Sequence, residues 1–295
     1  MTLALAVGGA TAQDLEPRAY TATPMGSNAV LFSYAYSSGG VLTDPTLPIE
    51  DLNARVHGLV AGYYRAFPLA GKAAGIGISA PYVFGDLSGK LEGVPGEVRR
   101  SGLGDARVKF SINLLGAPPM SPRQFLEYRQ KTILGVSFLV SPPTGQYDPG
   151  KLINLGTNRW VFKPEIGLSH AMGRTGRWVL DAYAGVWMFT ANEEFLGQVR
   201  DQAPLAATQF HLNYRVRPRL WASLDFTFYP GGRTKVNGEE NTDKQANSRI
   251  GGTVSLPISG GHSLKFSAST GLYVKSGGDF NAIAIGYQYS WIQGL

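Results

Sequence analysis

Stretches of about ten residues that alternate large apolar side chains with small or polar ones recur along most of the chain. In the clearest stretch, 105–114, one parity carries Ala106, Val108, Phe110, Ile112 and Leu114. The other parity carries Asp105, Arg107, Lys109, Ser111 and Asn113. Because successive side chains of a β-strand point to opposite faces, this order gives one apolar and one polar face, which a helix could not do. The pattern therefore predicts strands that separate an apolar medium from a polar one.

The connections between these stretches alternate in length. Twelve stretches lie between Asn28 and Trp291, and the short connections are 68–72, 173–176, 217–219 and 259–262. The long polar connections are 38–53, 87–102, 141–158, 191–203 and 231–246. Tight turns at one end and long loops at the other are typical of outer-membrane barrels. We therefore predict an all-β fold, a transmembrane antiparallel up-and-down β-barrel of 12 strands. Even-numbered positions should face lipid in every strand except the last.

The chain divides into three segments on this interpretation. Residues 1–12 are apolar and end in Ala-Thr-Ala, a small-residue cleavage pattern, so they are interpreted as a signal-peptide remnant. Residues 13–26 are expected to form a periplasmic segment or a plug, and residues 27–295 the barrel. One periplasmic connection, 116–130, is long, and Ser121 before Pro122 predicts a short helix there. The chain has no Cys and no apolar run long enough for a membrane-spanning helix.

Four stretches resemble a known family. They are LEPRAY at 15–20, LPIEDLNARVH at 47–57, GQYDPGKLINLGTNRWVFKPEIG at 145–167 and GVWMFTAN at 185–192. They resemble the bacterial family labelled MetA-pathway of phenol degradation, a group of outer-membrane β-barrel proteins often described as transporters. The resemblance implies a barrel in the outer membrane of a Gram-negative cell, linked to uptake of aromatic or other hydrophobic compounds. It carries no active-site motif onto this chain.

The polar parity predicts which side chains line the lumen. Basic residues outnumber acidic ones on that parity, and a pore lined by Arg and Lys favours anions. The residues expected to line the solute path are Arg55, His57, Arg107, Lys109, Lys163, Glu165, Asp181, Asp225, Arg249 and Lys265. The alternative is that these charges pair across a narrow lumen and fill it, because a buried charge without a partner is costly.

Three functions remain in competition. The first is an outer-membrane channel or transporter for small hydrophobic or aromatic compounds, including anionic ones. The second is a structural or assembly barrel with a plugged lumen. The third is an outer-membrane lipase or esterase, which would need a Ser beside a His, yet the chain has no Gly-x-Ser-x-Gly elbow. We therefore expect no enzymatic activity.

The expected partners follow from the same interpretation. They are a small-molecule solute, the lipid bilayer of the outer membrane and the barrel assembly machinery during insertion. No nucleic acid is expected, since the positive charge is spread along the strands and does not form a basic arm. Four scattered His and no Cys suggest no metal site and no cofactor. The cell outer membrane is the expected location.

Overall fold

The computed structural model describes residues 15–42, 49–91, 93–151 and 153–293. The predicted signal-peptide remnant lies outside the described residues. The elements are β1 (Ser27–Leu42), β2 (Ile49–Leu69), β3 (Lys72–Leu91), β4 (Val94–Leu103), β5 (Arg107–Leu115), α1 (Pro122–Glu127), β6 (Thr132–Ser141), β7 (Val161–Met172), β8 (Trp178–Phe189), β9 (Asn192–Phe195), β10 (Gln198–Gln202), β11 (Leu205–Arg217), β12 (Leu220–Gly231), β13 (Thr234–Val236), β14 (Glu239–Glu240), β15 (Gln245–Pro257), β16 (His262–Tyr273) and β17 (Gly277–Ile292).

Twelve of these strands close into an antiparallel barrel, as predicted. They are β1, β2, β3, β5, β6, β7, β8, β11, β12, β15, β16 and β17. Each barrel strand pairs with the next one along the chain, and β1 pairs with β17 from Ser27 opposite Ile292 to Leu42 opposite Gly277. Closure removes the unpaired edges that a membrane cannot tolerate, because lipid offers no hydrogen bonds.

The long connections hold more structure than the sequence suggested. Strand β4 pairs with the outer half of β3, beyond the stretch of β3 that pairs with β5. Strands β9, β10, β13 and β14 make a separate four-stranded sheet from two connections, 191–203 and 231–246, that were expected to be loops. These strands were not predicted because each is only two to five residues long, too short to show an alternating pattern.

The predicted periplasmic helix is present as α1. Ser121 is its N-cap, and its Oγ accepts a hydrogen bond from the Gln124 backbone at 3.3 Å. The Gln124 side chain in turn accepts from the Ser121 backbone at 2.8 Å, which completes a capping box. Among the described residues, no helix is long and apolar enough to cross a membrane.

The strand register corrects the predicted facing of β2. Even positions point outward in the other barrel strands apart from β17, which was expected to differ. Leu59 of β2, however, pairs with the exposed Tyr34 of β1 and the exposed Tyr82 of β3. Directly paired residues share a face, so the odd positions of β2 point outward.

Arg55 and His57 therefore lie on the outer surface, and their prediction as lumen residues is wrong. The physical reason is that β2 carries apolar residues on both parities, including Val60 and Leu59. A shift of one residue flips a whole strand, and the register shift between Glu50 and Asn53 lies just where β2 begins. Alternation alone could not choose between the two faces of this strand.

Candidate functional site

The N-terminal segment, residues 15–26, lies inside the barrel. Its backbone donates hydrogen bonds to inward side chains of β8, from Arg18 to Asp181 Oδ2 at 3.0 Å and from Ala19 to Tyr183 Oη at 3.1 Å. These contacts give two backbone N–H groups of the segment hydrogen-bond partners on the barrel wall. The segment is thus bound to one side of the lumen by specific polar contacts.

Tyr20 fixes this segment in a notch of the wall. Its ring lies against Gly135 of β6 and Gly167 of β7, which are directly paired, and a Cβ on either glycine would overlap the ring. Its hydroxyl donates to Ser137 Oγ at 3.0 Å and to Glu165 Oε1 at 3.1 Å. The two glycines are therefore required by the close approach of a side chain more than a hundred residues away in sequence.

A buried ionic network surrounds the notch. Lys163 Nζ lies 2.6 Å from Glu165 Oε2, with both side chains almost fully buried. Lys109 Nζ lies 2.6 Å from Glu16 Oε2 of the N-terminal segment and 3.9 Å from Glu165 Oε1. Each of these cations therefore has an acidic partner, which reduces the free positive charge of the lumen.

A second polar cluster fills the lumen between β11, β12 and β15. His211 Nδ1 lies 2.8 Å from Asp225 Oδ1, and the Thr253 hydroxyl donates to Asp225 Oδ2 at 2.9 Å. His211 and Asp225 are completely buried. On the neighbouring strands, Asn213 donates to Asp181 Oδ2 at 2.9 Å. These groups hold the inner wall together and do not border open space.

The remaining predicted site residues lie in different places. Arg249 is buried and donates to Ser269 Oγ at 3.0 Å and to the Phe280 carbonyl at 2.7 Å. Arg107 points inward from β5 and is half-buried. Lys265 points inward from β16 and is exposed, so it faces open lumen.

The two outward residues belong to an aromatic patch on the barrel exterior. His57 Nδ1 lies 2.8 Å from the Tyr34 hydroxyl, and its ring stacks on Phe84 with the ring centres 4.8 Å apart. Arg55 precedes it on the same face and is exposed. Aromatic side chains at this position suit a membrane interface, where amphipathic rings settle between lipid and water.

Sequence reasoning missed a wall of the lumen that carries no charge. We call the inward faces of four neighbouring strands, β17, β1, β2 and β3, the neutral wall. Its central positions are Ala282, Ala284, Gly286, Leu31, Ser33, Ala35, Gly58, Val60, Gly62, Gly77 and Ser79. Small residues attract little notice in a search for chemistry, but their concentration on one parity of adjacent strands was a readable signal.

The connection between β6 and β7 covers the extracellular end of the neutral wall. Ile153 of this loop packs in an apolar cluster with Val41, Ala54 and Leu87, which are inward residues of β1, β2 and β3. Apolar burial of this kind contributes about 1.5 to 3 kcal/mol for a fully buried aliphatic side chain. The loop therefore packs against the extracellular part of the neutral wall.

Asp105, between β4 and β5, fixes the same loop. Its carboxylate accepts three hydrogen bonds, from the Gly145 backbone at 2.8 Å, the Thr157 backbone at 2.9 Å and the Thr157 hydroxyl at 2.7 Å. Further along the loop, a hydrogen bond from Lys151 lowers the pKa of the Asp148 carboxyl. The loop is thus tied down by charge-assisted bonds as well as by the apolar cluster.

Replacing Asp105 with Ala should release this loop. Hydrogen bonds to a charged acceptor contribute about 1.5 to 3 kcal/mol each, so losing three should raise local opening at least about tenfold. Trypsin cleavage after the exposed Lys151 is the measurement, with the folded barrel as substrate. Asp201→Ala, which removes an exposed carboxylate from β10, is the control. Equal cleavage rates in the two variants would contradict the anchoring role of Asp105.

Comparison with solved structures places the fold among outer-membrane barrels. The chain is similar to an outer-membrane channel from Pseudomonas putida F1, with a TM-score of 0.78 and 17% identity, over 94% of this chain and 100% of that one. It is also similar to the transport unit of the autotransporter AIDA-I from Escherichia coli, with a TM-score of 0.54 and 10% identity, over 97% of each chain. At these identities the similarity shows the fold alone. No curated protein sequence matches the chain.

A family model adds evidence from the sequence itself. The family described as "Putative MetA-pathway of phenol degradation" matches residues 37–288, from within β1 to within β17. This range covers most of the barrel and confirms the resemblance noted in the sequence. The chain is an outer-membrane β-barrel protein and belongs to this family.

Proposed function

We propose that the barrel lets small hydrophobic or aromatic compounds cross the outer membrane along the neutral wall. The carrying observation is that the inward faces of β17, β1, β2 and β3 hold no Asp, Glu, Lys or Arg over their described side chains. An apolar solute gains nothing from a charged wall, because the charges must lose water as the solute passes. A wall of Gly, Ala, Ser and Val avoids that cost and leaves room for a ring.

The distribution of open space supports this route. Ser33, Gly62 and Ala284 of the neutral wall are half-exposed although they point inward. On the opposite side of the lumen, His211 and Asp225 have no exposed surface at all. Free volume therefore lies beside the neutral wall, while the N-terminal segment and the paired charges fill the other side.

The geometry favours neutral solutes over anions. The expected preference for anions depended on a surplus of luminal cations, but Arg55 points outward and Lys109 and Lys163 have acidic partners. Lys265, exposed at the flank of the neutral wall, is placed to attract an aromatic carboxylate. We therefore propose that the passage of anions depends on Lys265.

A structural barrel with a closed lumen is the competing proposal. The observation in its favour is the N-terminal segment, which occupies the lumen and is bound by Asp181 and Tyr183. Uptake separates the two, since a closed barrel would carry no solute. Recognition by the barrel assembly machinery, expected from the outward Tyr287, Tyr289 and Trp291 of the last strand, stays a prediction.

Catalysis forms no part of the proposal. Membership of a family without a known active-site motif supports this, as does the placement of the four His. His211 pairs with Asp225 in a geometry that resembles part of a catalytic triad, but within the described residues its Nε2 has no hydrogen-bond partner to act as nucleophile.

A charge placed on the neutral wall should stop uptake. Val60→Glu puts a carboxylate in the middle of the wall, and burying an unpaired charge costs several kcal/mol, so uptake of a neutral ring should fall at least about tenfold. The measurement is uptake of radiolabelled toluene by porin-deficient cells that express the full chain.

The matched control is Ser101→Glu, which adds the same charge to the exposed strand β4. Heat-dependent mobility on gels shows whether each variant is folded in the membrane. Equal toluene uptake by the Val60 variant and wild type would contradict the proposed route. Wild-type uptake no faster than that of cells without the protein would support the closed structural barrel.

A further inference from the structure

A small cavity lies at the periplasmic end of the neutral wall. Its volume is about 160 Å³, and it lies between the N-terminal segment and the strands β2, β3 and β5. Cavities of about 150 Å³ in other proteins accommodate benzene. The cavity is therefore the size of a single aromatic ring.

One side of the cavity is formed by Tyr64 and depends on a glycine. The Tyr64 ring lies directly against Gly75 of β3, where any Cβ would overlap it. Both residues point inward, so the ring covers the wall just where the neutral wall approaches the periplasmic turn at 70–71. The inward glycines Gly75 and Gly77 thus make room for an aromatic side chain beside the solute path.

The other side is formed by the N-terminal segment. Tyr20 borders the cavity with a ring that is held in place by Gly135, Gly167 and the hydroxyl contact to Ser137. Tyr20 itself is almost fully buried, so the half-buried Tyr64 ring is the aromatic surface that the cavity offers to a guest.

Polar groups also face this space. Ser111 and Asn113 of β5 line it together with Thr21, whose carbonyl accepts from the Asn113 side chain at a long 3.4 Å. A purely apolar guest would offer these groups no hydrogen bond in place of the water that it displaces. A guest with one hydroxyl could exchange hydrogen bonds with them.

We propose that this cavity binds a single-ring aromatic compound that carries a hydroxyl group, a phenol. The role of this site, as the last binding position before the periplasm, rests on the proposed function. The choice of ligand rests on the cavity alone. Tyr64 belongs to the neutral wall, so a solute that follows the wall arrives at this position. The Tyr64 ring packs against the aromatic ring, and Ser111, Asn113 and Thr21 select the hydroxyl.

Fluorine NMR on the full-length protein in detergent tests the binding directly. 4-Fluorophenol should show saturable binding that unlabelled phenol displaces, whereas fluorobenzene, which lacks the hydroxyl, should bind at least about fivefold more weakly. Displacement separates a protein site from simple partition into micelles. Absence of saturable binding, or equal binding of the two probes, would overturn the proposal.

Filling the cavity gives the second test. Ser111→Leu should weaken 4-fluorophenol binding at least about tenfold because the added carbons occupy the ring position. Thr270→Leu, which adds similar bulk on the outer face of β16, is the matched control. Thr21→Leu fills the same cavity from the N-terminal segment and leaves the barrel wall unchanged, so it keeps the test valid if the Ser111 variant does not fold. Binding unaffected by both filling variants would sink the proposal.

Toluene uptake distinguishes failure of the cavity proposal from failure of the proposed function. If the filled variants carry toluene normally and wild type does not bind 4-fluorophenol, the cavity proposal is wrong and the route survives. If wild type binds 4-fluorophenol reversibly but transports nothing, the route is wrong and the cavity remains a binding site.

Discussion

Replacing Gly167 with Ala should raise the ion conductance of the barrel. An added Cβ at this position overlaps the Tyr20 ring, which fills the notch between β6 and β7. Overpacking of a close contact costs about 1 to 3 kcal/mol, which corresponds to a shift of roughly 5-fold to 150-fold in the population of the displaced segment. Displacement removes a barrier from the lumen, so ion conductance should rise.

The reason for this sensitivity is that Tyr20 connects the N-terminal segment to the wall. Its hydroxyl donates to Ser137 and Glu165, and its ring packs edge-on against Tyr183 with the ring centres 5.1 Å apart. When the ring leaves the notch, these contacts are lost together. The segment keeps other polar contacts, among them backbone hydrogen bonds to Asp181 and Tyr183 and the half-buried ion pair between Glu16 and Lys109.

Single-channel recording in planar bilayers measures the change. Tyr20→Ala should produce the same increase from the other side of the contact, without altering the barrel wall. Gly96→Ala is the matched control, since its added Cβ meets nothing within 4 Å and Gly96 lies on β4, which is not one of the twelve barrel strands. If the Gly167 variant and the Gly96 variant both fold and both conduct like wild type, the segment does not control passage.

The strand pattern was predictable because it depends only on neighbouring residues. In β5 the apolar and polar sets separate completely, and the structure has that strand where the alternation predicts it. In β2 both parities are apolar, so the facing depended on pairing with Tyr34 and Tyr82, which no local pattern contains. Local alternation determines the presence of a strand, whereas register determines its face.

The inner site was predictable only in part for the same reason. Pairing of Lys163 and Glu165 was foreseen as an alternative, since the two lie on one face of one strand. The notch for Tyr20 was not predicted. Its two glycines are required only because the Tyr20 side chain packs against them, and Tyr20 lies 145 residues before Glu165, the notch residue that accepts its hydrogen bond. The neutral wall was missed because a search for charged and nucleophilic residues passes over Gly, Ala and Ser.

Removing Glu165 should give the largest loss of stability. Glu165→Ala leaves the Lys163 ammonium with 5% side-chain exposure and without its carboxylate, and breaking a buried pair in this way costs about 3 to 5 kcal/mol. The Tyr20 hydroxyl loses an acceptor in the same step. Guanidinium unfolding of the barrel in detergent, followed by tryptophan fluorescence, measures the shift in midpoint.

The two controls separate charge burial from charge loss. Glu240→Ala removes a carboxylate that is paired with Arg233 and Lys235 on the exposed sheet, and solvent screening should leave the midpoint almost unchanged. The double variant Lys163→Met with Glu165→Leu removes both buried charges and should recover most of the loss, since apolar replacements of a buried pair are often neutral. Equal unfolding midpoints for Glu165→Ala and Glu240→Ala would contradict this account, because the Lys163 ammonium would then not depend on the Glu165 carboxylate. If the Lys163 and Glu165 double variant instead stayed as unstable as Glu165→Ala, the lost contact to Tyr20 and not the unpaired ammonium would account for the destabilisation.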